Sequence, residues 1–189
     1  MNVLGISGTP RVNGNSAILI DYALAPFKKD GWKTKHLKMS ELAVQPCDGC
    51  EKCLNSGKCV INDDMHYFYE TFDWCDAIII ASPVYSRNIC SQLLAVLDRY
   101  HGVYKKRLLE GKVGGAIAVG RGTCGGQAIT ITAIYNWMLS CGIICVPGEL
   151  NGVTAVASEP GDILKQEKRL KQAEILGENI LKVAKKLRA

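Results

Sequence analysis

The segment VLGISGTPRVNGNS, residues 3–16, decides the fold class of this chain. Its beginning, VLGIS (3–7), is a short continuous aliphatic run, which is typical of a strand buried on both faces of a parallel sheet. Its remainder, SGTPRVNGNS (7–16), is rich in hydroxyl, amide and glycine residues and leads directly into a helical segment. The segment therefore predicts a strand, a loop and a helix N-terminus in succession.

Further runs of the same kind lie downstream. AIIIA (77–81), GGAIAV (114–119) and GIICV (142–146) also resemble buried parallel strands. TKHLKM (34–39) alternates polar and apolar residues, which suits a strand at the sheet edge. Helical segments lie between and after the strands, at residues 16–29, 65–74, 89–100, 127–140 and 163–187.

This alternation predicts an α/β fold of the flavodoxin-like type. We expect a three-layer sandwich with a five-stranded parallel sheet in the order 2-1-3-4-5, whose ligand site lies at the carboxyl ends of strands one and three. Residues 46–60 then form a cysteine-rich insertion between strands two and three. With 189 residues, of which 48% are hydrophobic, we expect one domain over residues 1–189.

The net charge and the hydropathy of the chain limit the kinds of partner that it is expected to bind. The formal net charge is +5, and the basic residues are dispersed among acidic ones, which argues against nucleic acid as a partner. No apolar run has the length of a membrane span, so we expect a soluble, cytoplasmic protein with no membrane partner. Thiols are kept reduced in that compartment, and clustered cysteines there indicate metal binding or catalysis rather than disulfides.

Three polar or glycine-rich loops follow strands one, three and four. The first loop precedes a helix N-terminus, where free N–H groups and the helix dipole favour a phosphate. An ordinary strand-to-helix turn with an Asn or Ser cap is the alternative. The second loop, SPVYSRN (82–88), presents Tyr85, and the third, VGRGTCGGQ (119–127), lets the backbone approach a flat ligand. Together the loops predict a flat, phosphorylated cofactor.

These loops resemble those of the NAD(P)H-dependent FMN reductase family, within the flavodoxin-like superfamily. The first loop is similar to the family's phosphate loop, the second to its Pro-x-Tyr loop, and residues 93–100 to its helix ending in Asp98-Arg99. Residues 125–127 resemble its third flavin-flanking loop. The resemblance implies FMN as cofactor, bound by Ser7, Thr9, Pro10, Arg11, Asn13, Asn15, Ser16, Pro83, Val84, Tyr85, Ser86, Gly120, Gly125, Gly126 and Gln127.

The stretch CDGCEKCLNSGKC (47–59) carries four of the nine cysteines. Its compact spacing favours an iron–sulfur cluster over zinc, whose structural sites more often use two separated pairs of ligands. Inserted in a flavin domain, such a run resembles the iron–sulfur flavoproteins, which carry a [4Fe–4S] cluster and FMN. The resemblance implies the ligands Cys47, Cys50, Cys53 and Cys59. We expect Cys75, Cys90, Cys141 and Cys145 to be small core residues, while Cys124 is a candidate for a redox role.

The function implied by the resemblance is electron transfer. A ferredoxin-like donor would deliver single electrons through the cluster and FMN to a small-molecule acceptor, in a homodimer or homotetramer. No catalytic side chain is singled out, because the cofactors carry the redox chemistry. Two alternatives remain at this point: an NAD(P)H-dependent reductase of flavins or quinones with a structural zinc, and a redox carrier or sensor that is not an enzyme.

Overall fold

The computed structural model describes residues 1–123 and 125–188. Its sheet is built from β1 (Asn2–Ser7), β2 (Lys33–Lys38), β3 (Ala77–Tyr85), β4 (Asn88–Ile89), β5 (Val113–Gly120), β6 (Ile144–Cys145) and β7 (Val153–Val156). The α-helices are α1 (Asn15–Lys29), α2 (Cys53–Ser56), α3 (Met65–Trp74), α4 (Ser91–Arg99), α5 (Gln127–Ser140) and α6 (Glu167–Lys186). Two 3-10 helices cover Tyr100–Lys106 and Asp162–Lys165.

The strand order of the sheet confirms the predicted flavodoxin-like fold. The order is β2-β1-β3-β5-β6, and these strands are parallel. The sheet contains more than the five predicted strands. One reason is that two short strands, β6 and β7, share the fifth position of the strand order. β6 pairs with the beginning of β5, and β7 pairs in parallel with the end of β5. Pro147, which has no N–H to donate to a ladder, interrupts the chain between these two short strands.

Side chains on the two faces of the sheet form two separate cores. On β1, Val3 packs with α1 and α6, whereas Leu4 and Ile6 pack with α3, α4 and α5. The same alternation continues on β3, where Ile78 and Ile80 share the face of Leu4. This period of two places helices on both faces, as the three-layer prediction requires.

The layer formed by α1 and α6 depends on a close helix contact. A Cβ atom at Gly177 of α6 would lie 2.1 Å from the backbone oxygen of Ala23 in α1. Real side chains do not approach a carbonyl oxygen this closely, so a glycine is required at this crossing. Asp30, at the end of α1, accepts a hydrogen bond from Lys185 at 2.8 Å and fixes the other end of the pair.

The predicted element boundaries differ from the observed ones mainly beside the cleft. Residues 82–85 of the second predicted loop extend β3, and a tight turn at Ser86 and Arg87 then leads to the antiparallel strand β4. The last predicted helix, 163–187, divides into a 3-10 turn and α6. No helix of residues 1–123 and 125–188 has both the length and the hydropathy needed to cross a membrane.

Candidate functional site

A cleft of about 240 Å³ lies where the carboxyl ends of β1, β3, β5 and β7 meet. All three predicted loops contribute to it, together with residues after β7. Its lining consists of Thr9, Arg11, Gly14, Asn15, Ser16, Pro83, Val84, Tyr85, Val119, Arg121, Ala157 and Ser158. The fold therefore places a ligand site at the edge of the sheet that the strand order predicts.

The N-terminus of α1 forms one wall of this cleft. Its N-cap is Gly14, and no side chain caps the helix, so the ordinary Asn or Ser cap is not the arrangement found. The Ser16 hydroxyl is buried and has no hydrogen-bond partner among the described residues. Burying a hydroxyl without a partner costs about 1–3 kcal/mol. The Ser16 hydroxyl lies in the first turn of α1, and this position fits an anionic group bound at the helix N-terminus.

The loop before α1 is packed too tightly for a larger residue at Gly14. A Cβ atom there would lie 2.5 Å from the Thr9 hydroxyl oxygen. That oxygen accepts a hydrogen bond from the Arg11 backbone N–H at 3.2 Å. The loop is consequently folded around the helix N-terminus, with its backbone close to the cleft, as a phosphate-binding loop must be.

Asn15 and Arg11 connect this loop to the segment after β7. The Asn15 amide donates to the Glu159 carbonyl at 2.9 Å, and its oxygen accepts from the Ile163 N–H at 3.1 Å. The Arg11 guanidinium donates to the Ser158 carbonyl at 2.7 Å. Asn15 is thus occupied in holding the segment, whereas a guanidinium has further N–H donors for a ligand.

The opposite wall is the end of β3. Tyr85 is 40% exposed in the cleft, and the turn after it places Ser86 and Arg87 at φ values of 48° and 64°. Gly126, at φ 96°, supports this turn, because a Cβ atom there would lie 2.7 Å from the Arg87 Cα. The second and third predicted loops are therefore in direct contact.

Several predicted site residues do not line the cleft. These are Ser7, Pro10, Asn13, Ser86, Gly120, Gly125, Gly126 and Gln127. The Ser7 hydroxyl lies 3.0 Å from Nε2 of His36, whose Nδ1 lies 2.9 Å from an Asp21 oxygen. The buried Gln127 amide donates to the Gly122 carbonyl at 2.8 Å. Direct contacts of these residues with FMN stay predictions.

The candidate redox residue of the third loop, Cys124, lies outside the described residues.

Sequence reasoning missed Gly14, Val119, Arg121, Ala157 and Ser158. Arg121 stands in the third loop and could have been found from the end of β5. Ala157 and Ser158 follow β7, a strand that was not predicted, so nothing indicated them. Among the described residues that line the cleft, Arg11 and Arg121 carry positive charge and none carries a carboxylate, which favours an anion.

The cysteine loop lies between β2 and α3, and none of its residues lines this cleft. Cys47 and Cys50 are exposed, while Cys53 and Cys59 are half-buried, and all four are free thiols. Gly49, Glu51 and Gly57 have φ values of 68°, 55° and 63°, which fold the loop back on itself. Burial raises the pKa of Cys53, and so do the nearby charges of Cys59, Cys47 and Cys50. All four thiols belong to this one loop.

The cysteine loop is the candidate metal site of the chain. No group of three Cys, His, Asp or Glu side chains is arranged to hold a metal ion within residues 1–123 and 125–188. The donor set nevertheless fits an iron–sulfur cluster by its chemistry, since it consists of four unpaired thiols in one short loop. The ligand assignment accordingly stays a prediction.

A buried ion pair closes the base of the cysteine loop. The Arg99 guanidinium at the end of α4 donates to an Asp63 carboxylate oxygen at 2.5 Å, and the two side chains are 1% and 7% exposed. Burial raises the pKa of Asp63, but hydrogen bonds from Arg99, Gln45 and Met65 outweigh burial and hold the pKa below its usual value. Sequence reasoning noted Arg99 only as part of the family pattern and missed Asp63.

The four described cysteines outside the loop lie where they were predicted, in or against the core. Cys75, Cys90 and Cys141 are buried and Cys145 is half-buried. Burial raises the pKa of both Cys75 and Cys141 to about 11, which makes these thiols poor nucleophiles near neutral pH. Their role is packing.

Comparison with known proteins supports the cofactor class suggested by the cleft. Residues 1–156 match the family described as NADPH-dependent FMN reductase. A protein of Methanocaldococcus jannaschii named iron-sulfur flavoprotein is 36% identical over 189 residues, covering 98% of both chains. Another protein of that name, from Methanosarcina thermophila, is 41% identical over 147 residues, covering 77% of both chains.

A solved structure shows the same fold. A WrbA-like flavodoxin from Agrobacterium tumefaciens matches with a TM-score of 0.70 at 14% identity, over 98% of both chains. The family match covers the first loop, the cysteine loop, β3 to β5 and the third loop of this sequence. The chain belongs to the NADPH-dependent FMN reductase family and is a flavin-dependent oxidoreductase.

Proposed function

We propose that the cleft binds FMN with its phosphate at the N-terminus of α1. The observation that carries this proposal is the Ser16 hydroxyl, which is buried in the first turn of the helix without a partner. Thr9 and the free donors of Arg11 lie beside it in the same wall. Hydrogen bonds to a charged acceptor are worth about 1.5–3 kcal/mol each, so a phosphate there offsets the burial of Ser16.

The flavin ring then lies against Pro83, Val84 and Tyr85. Tyr85 offers an aromatic face in the cleft, and the turn at Ser86 and Arg87 keeps that face in position. Arg121 also lines the cleft and supplies positive charge near the anionic ligand.

We further propose that the cysteine loop holds a [4Fe–4S] cluster through Cys47, Cys50, Cys53 and Cys59. The names of the two relatives support this assignment, as does the compact set of free thiols. When bound, the cluster exchanges single electrons, and FMN accepts one or two. The chain would thus connect a one-electron, ferredoxin-like donor to a small-molecule acceptor, as a homodimer or homotetramer.

The first test is the composition of the protein purified without oxygen. Iron, acid-labile sulfide, zinc and FMN are quantified per chain, together with the visible spectrum. We expect one FMN with about four iron and four sulfide. Zinc with FMN would replace the proposal by a flavin or quinone reductase with a structural zinc.

A matched pair of cysteine variants locates the cluster. Cys50→Ser should lose iron while keeping FMN, because the thiolate is the ligand and the loop is separate from the cleft. Cys145→Ser, outside the loop, should keep both. Equal iron content in the two variants would contradict the ligand assignment.

The donor is tested by rapid mixing. Reduced ferredoxin or NADPH is mixed with the oxidised protein, and bleaching of the flavin is followed. We expect fast reduction by ferredoxin that requires the four cysteines. Reduction by NADPH alone, independent of Cys50, would favour the simple reductase, and reduction without turnover of any acceptor would favour a carrier.

A further inference from the structure

We propose that Arg99 is the positioning residue of the cysteine loop: its guanidinium ties the two ends of the loop together and holds the sulfur of Cys59. The proposal rests on the proposed function, in that the loop takes up an iron–sulfur cluster. It concerns a residue that belongs neither to the cleft nor to the four thiols.

The contacts of Arg99 join both sides of the loop. One terminal nitrogen, Nη1, donates to the Gln45 carbonyl at 3.1 Å, just before Cys47, and to Asp63. The other, Nη2, donates to the Ile61 carbonyl at 3.3 Å, just after Cys59. One planar group therefore bridges the residues at which the cysteine run begins and ends.

Asp63 completes this closure from the opposite side. Its Oδ2 atom accepts the Gln45 N–H at 2.8 Å, and its Oδ1 atom accepts the Met65 N–H at 3.1 Å. The carboxylate thus binds the chain before the loop, the guanidinium, and the first turn of α3. Because both side chains are buried, removing one leaves the other charge unpaired, which is strongly destabilising for the local structure.

The Cys59 sulfur is the one thiol of the four with a described hydrogen bond from a cation. Nη2 of Arg99 lies 3.4 Å from it. A positive charge and a hydrogen bond at a ligating sulfur stabilise the reduced, more negative state of a cluster.

The position of Arg99 is fixed by a hydrogen bond to its backbone and by the packing of α4. Its backbone carbonyl accepts the Tyr69 hydroxyl at 2.8 Å, and α4, on which it stands, packs in the core through Leu93, Val96 and Leu97. At the other end of α4, the Cys90 N–H donates to the Ser82 hydroxyl at 3.1 Å, next to the flavin wall of β3. The helix thus fixes Arg99 relative to both the cleft and the loop.

Lysine cannot replace this arrangement. The guanidinium serves acceptors in several directions from two nitrogens in one plane, whereas an ammonium is a single point with three donors. Arg99→Lys keeps the positive charge and removes the planar guanidinium, whereas Arg99→Gln removes both the charge and the guanidinium. The pair separates positioning from charge.

The experiment compares the full-length protein, purified without oxygen, with Arg99→Lys, Arg99→Gln and Asp63→Asn. Arg107→Lys is the matched control, because Arg107 is exposed and pairs with Glu110. Iron per chain, FMN per chain, the rate of iron release to a chelator, and tryptic cleavage at Lys52 and Lys58 are measured. We expect at least tenfold faster cleavage and iron release in the Arg99 and Asp63 variants, with FMN retained and the control unchanged.

The reduction potential of the cluster gives a readout that a purely structural role does not move. We expect Arg99→Gln to shift it to a more negative value than Arg99→Lys does. Wild-type rates of cleavage and iron release in Arg99→Lys and Asp63→Asn would overturn the proposal. If the Arg99 variants do not fold, Asp63→Asn and Tyr69→Phe still report on loop closure.

Different results would show that the loop holds no cluster and that Arg99 does not close the loop. A wild-type protein that holds zinc or no metal overturns the cluster, yet its cleavage rate still tests whether Arg99 closes the loop. A wild-type protein that holds four iron atoms while the variants behave like Arg107→Lys overturns only the role of Arg99.

Discussion

Ser16 shows how one residue reports on a ligand. A serine in the first turn of a helix usually has its hydroxyl bonded to the backbone or to water, but this one is buried and has no described partner. The unfavourable burial is reversed only when an acceptor enters the cleft. The residue is therefore expected to discriminate ligands with a phosphate from ligands without one.

The corresponding prediction concerns Ser16→Ala. The affinity for FMN should fall roughly 10- to 100-fold, because one hydrogen bond to a charged group, about 1.5–3 kcal/mol, is lost. The affinity for riboflavin, which has no phosphate, should not change. Flavin fluorescence titration measures both, with Ser140→Ala as the control. An equal loss for both flavins would show that Ser16 does not contact the phosphate.

At the scale of elements, the cleft is shaped by contacts between loops that follow different strands. The turn after β3 packs against Gly126 at the start of α5. The segment after β7 is held by a hydrogen bond from Asn15 of α1. Each wall is consequently supported by an element distant in sequence. Changes to these supports should alter binding of the ring as well as of the phosphate.

Gly126→Ala tests the support of the ring. The residue has φ 96°, and its new Cβ would meet the backbone of Arg87 at 2.7 Å, so the turn after Tyr85 must move. We expect the affinities for FMN and riboflavin to fall together, by at least about tenfold, or ~1.4 kcal/mol. The same fluorescence titration measures this change. A loss confined to FMN would contradict the placement of the ring against β3.

Gly177→Ala tests the contact between α1 and α6. Within an isolated helix this change is favourable by about 1 kcal/mol. Here the new Cβ would lie 2.1 Å from the Ala23 carbonyl oxygen, and overpacking of this kind costs about 1–3 kcal/mol or more. Urea denaturation should therefore show a lower free energy of unfolding, with the exposed Lys182→Ala near wild type. A higher free energy of unfolding in Gly177→Ala would mean that α1 and α6 can move apart at no cost in stability.

At the scale of the whole molecule, two cores on either face of the sheet bury several ionisable groups. Burial raises the pKa of Cys75 and Cys141 to about 11 and that of Tyr100 and Tyr135 to about 12. The folded chain therefore keeps protons that the unfolded chain loses at lower pH. The stability that these four groups contribute is therefore fully present below about pH 8 and is lost as pH rises through 9 to 12.

Cys75 carries a measurable part of this alkaline loss. Its pKa rises from 9.0 to about 11, so at pH 10.5 ionisation of the unfolded chain should cost about 2 kcal/mol. Cys75→Ala should be less stable than wild type at pH 8 and should lose that much less between pH 8 and 10.5. Urea denaturation at both pH values checks this. Parallel loss in the two proteins would contradict the assignment.

The layers, the strand order and the family were all predictable from the amino-acid pattern. Short aliphatic runs such as AIIIA are recognisable because a parallel strand covered on both faces needs no polar residues. Local polar loops at the ends of β1 and β3 were recognisable for a similar reason, since binding groups there are consecutive in the chain. Thr9, Arg11, Ser16 and Tyr85, which come from these loops, line the cleft.

The tertiary structure alone decided which groups are free and which are occupied. Ser16 and Asn15 are neighbours in sequence, yet one hydroxyl has no described partner while the other side chain holds residues 159 and 163. The closure of the cysteine loop depends on Arg99, forty residues beyond Cys59. Such pairings are set by packing between distant elements, and no local pattern encodes them.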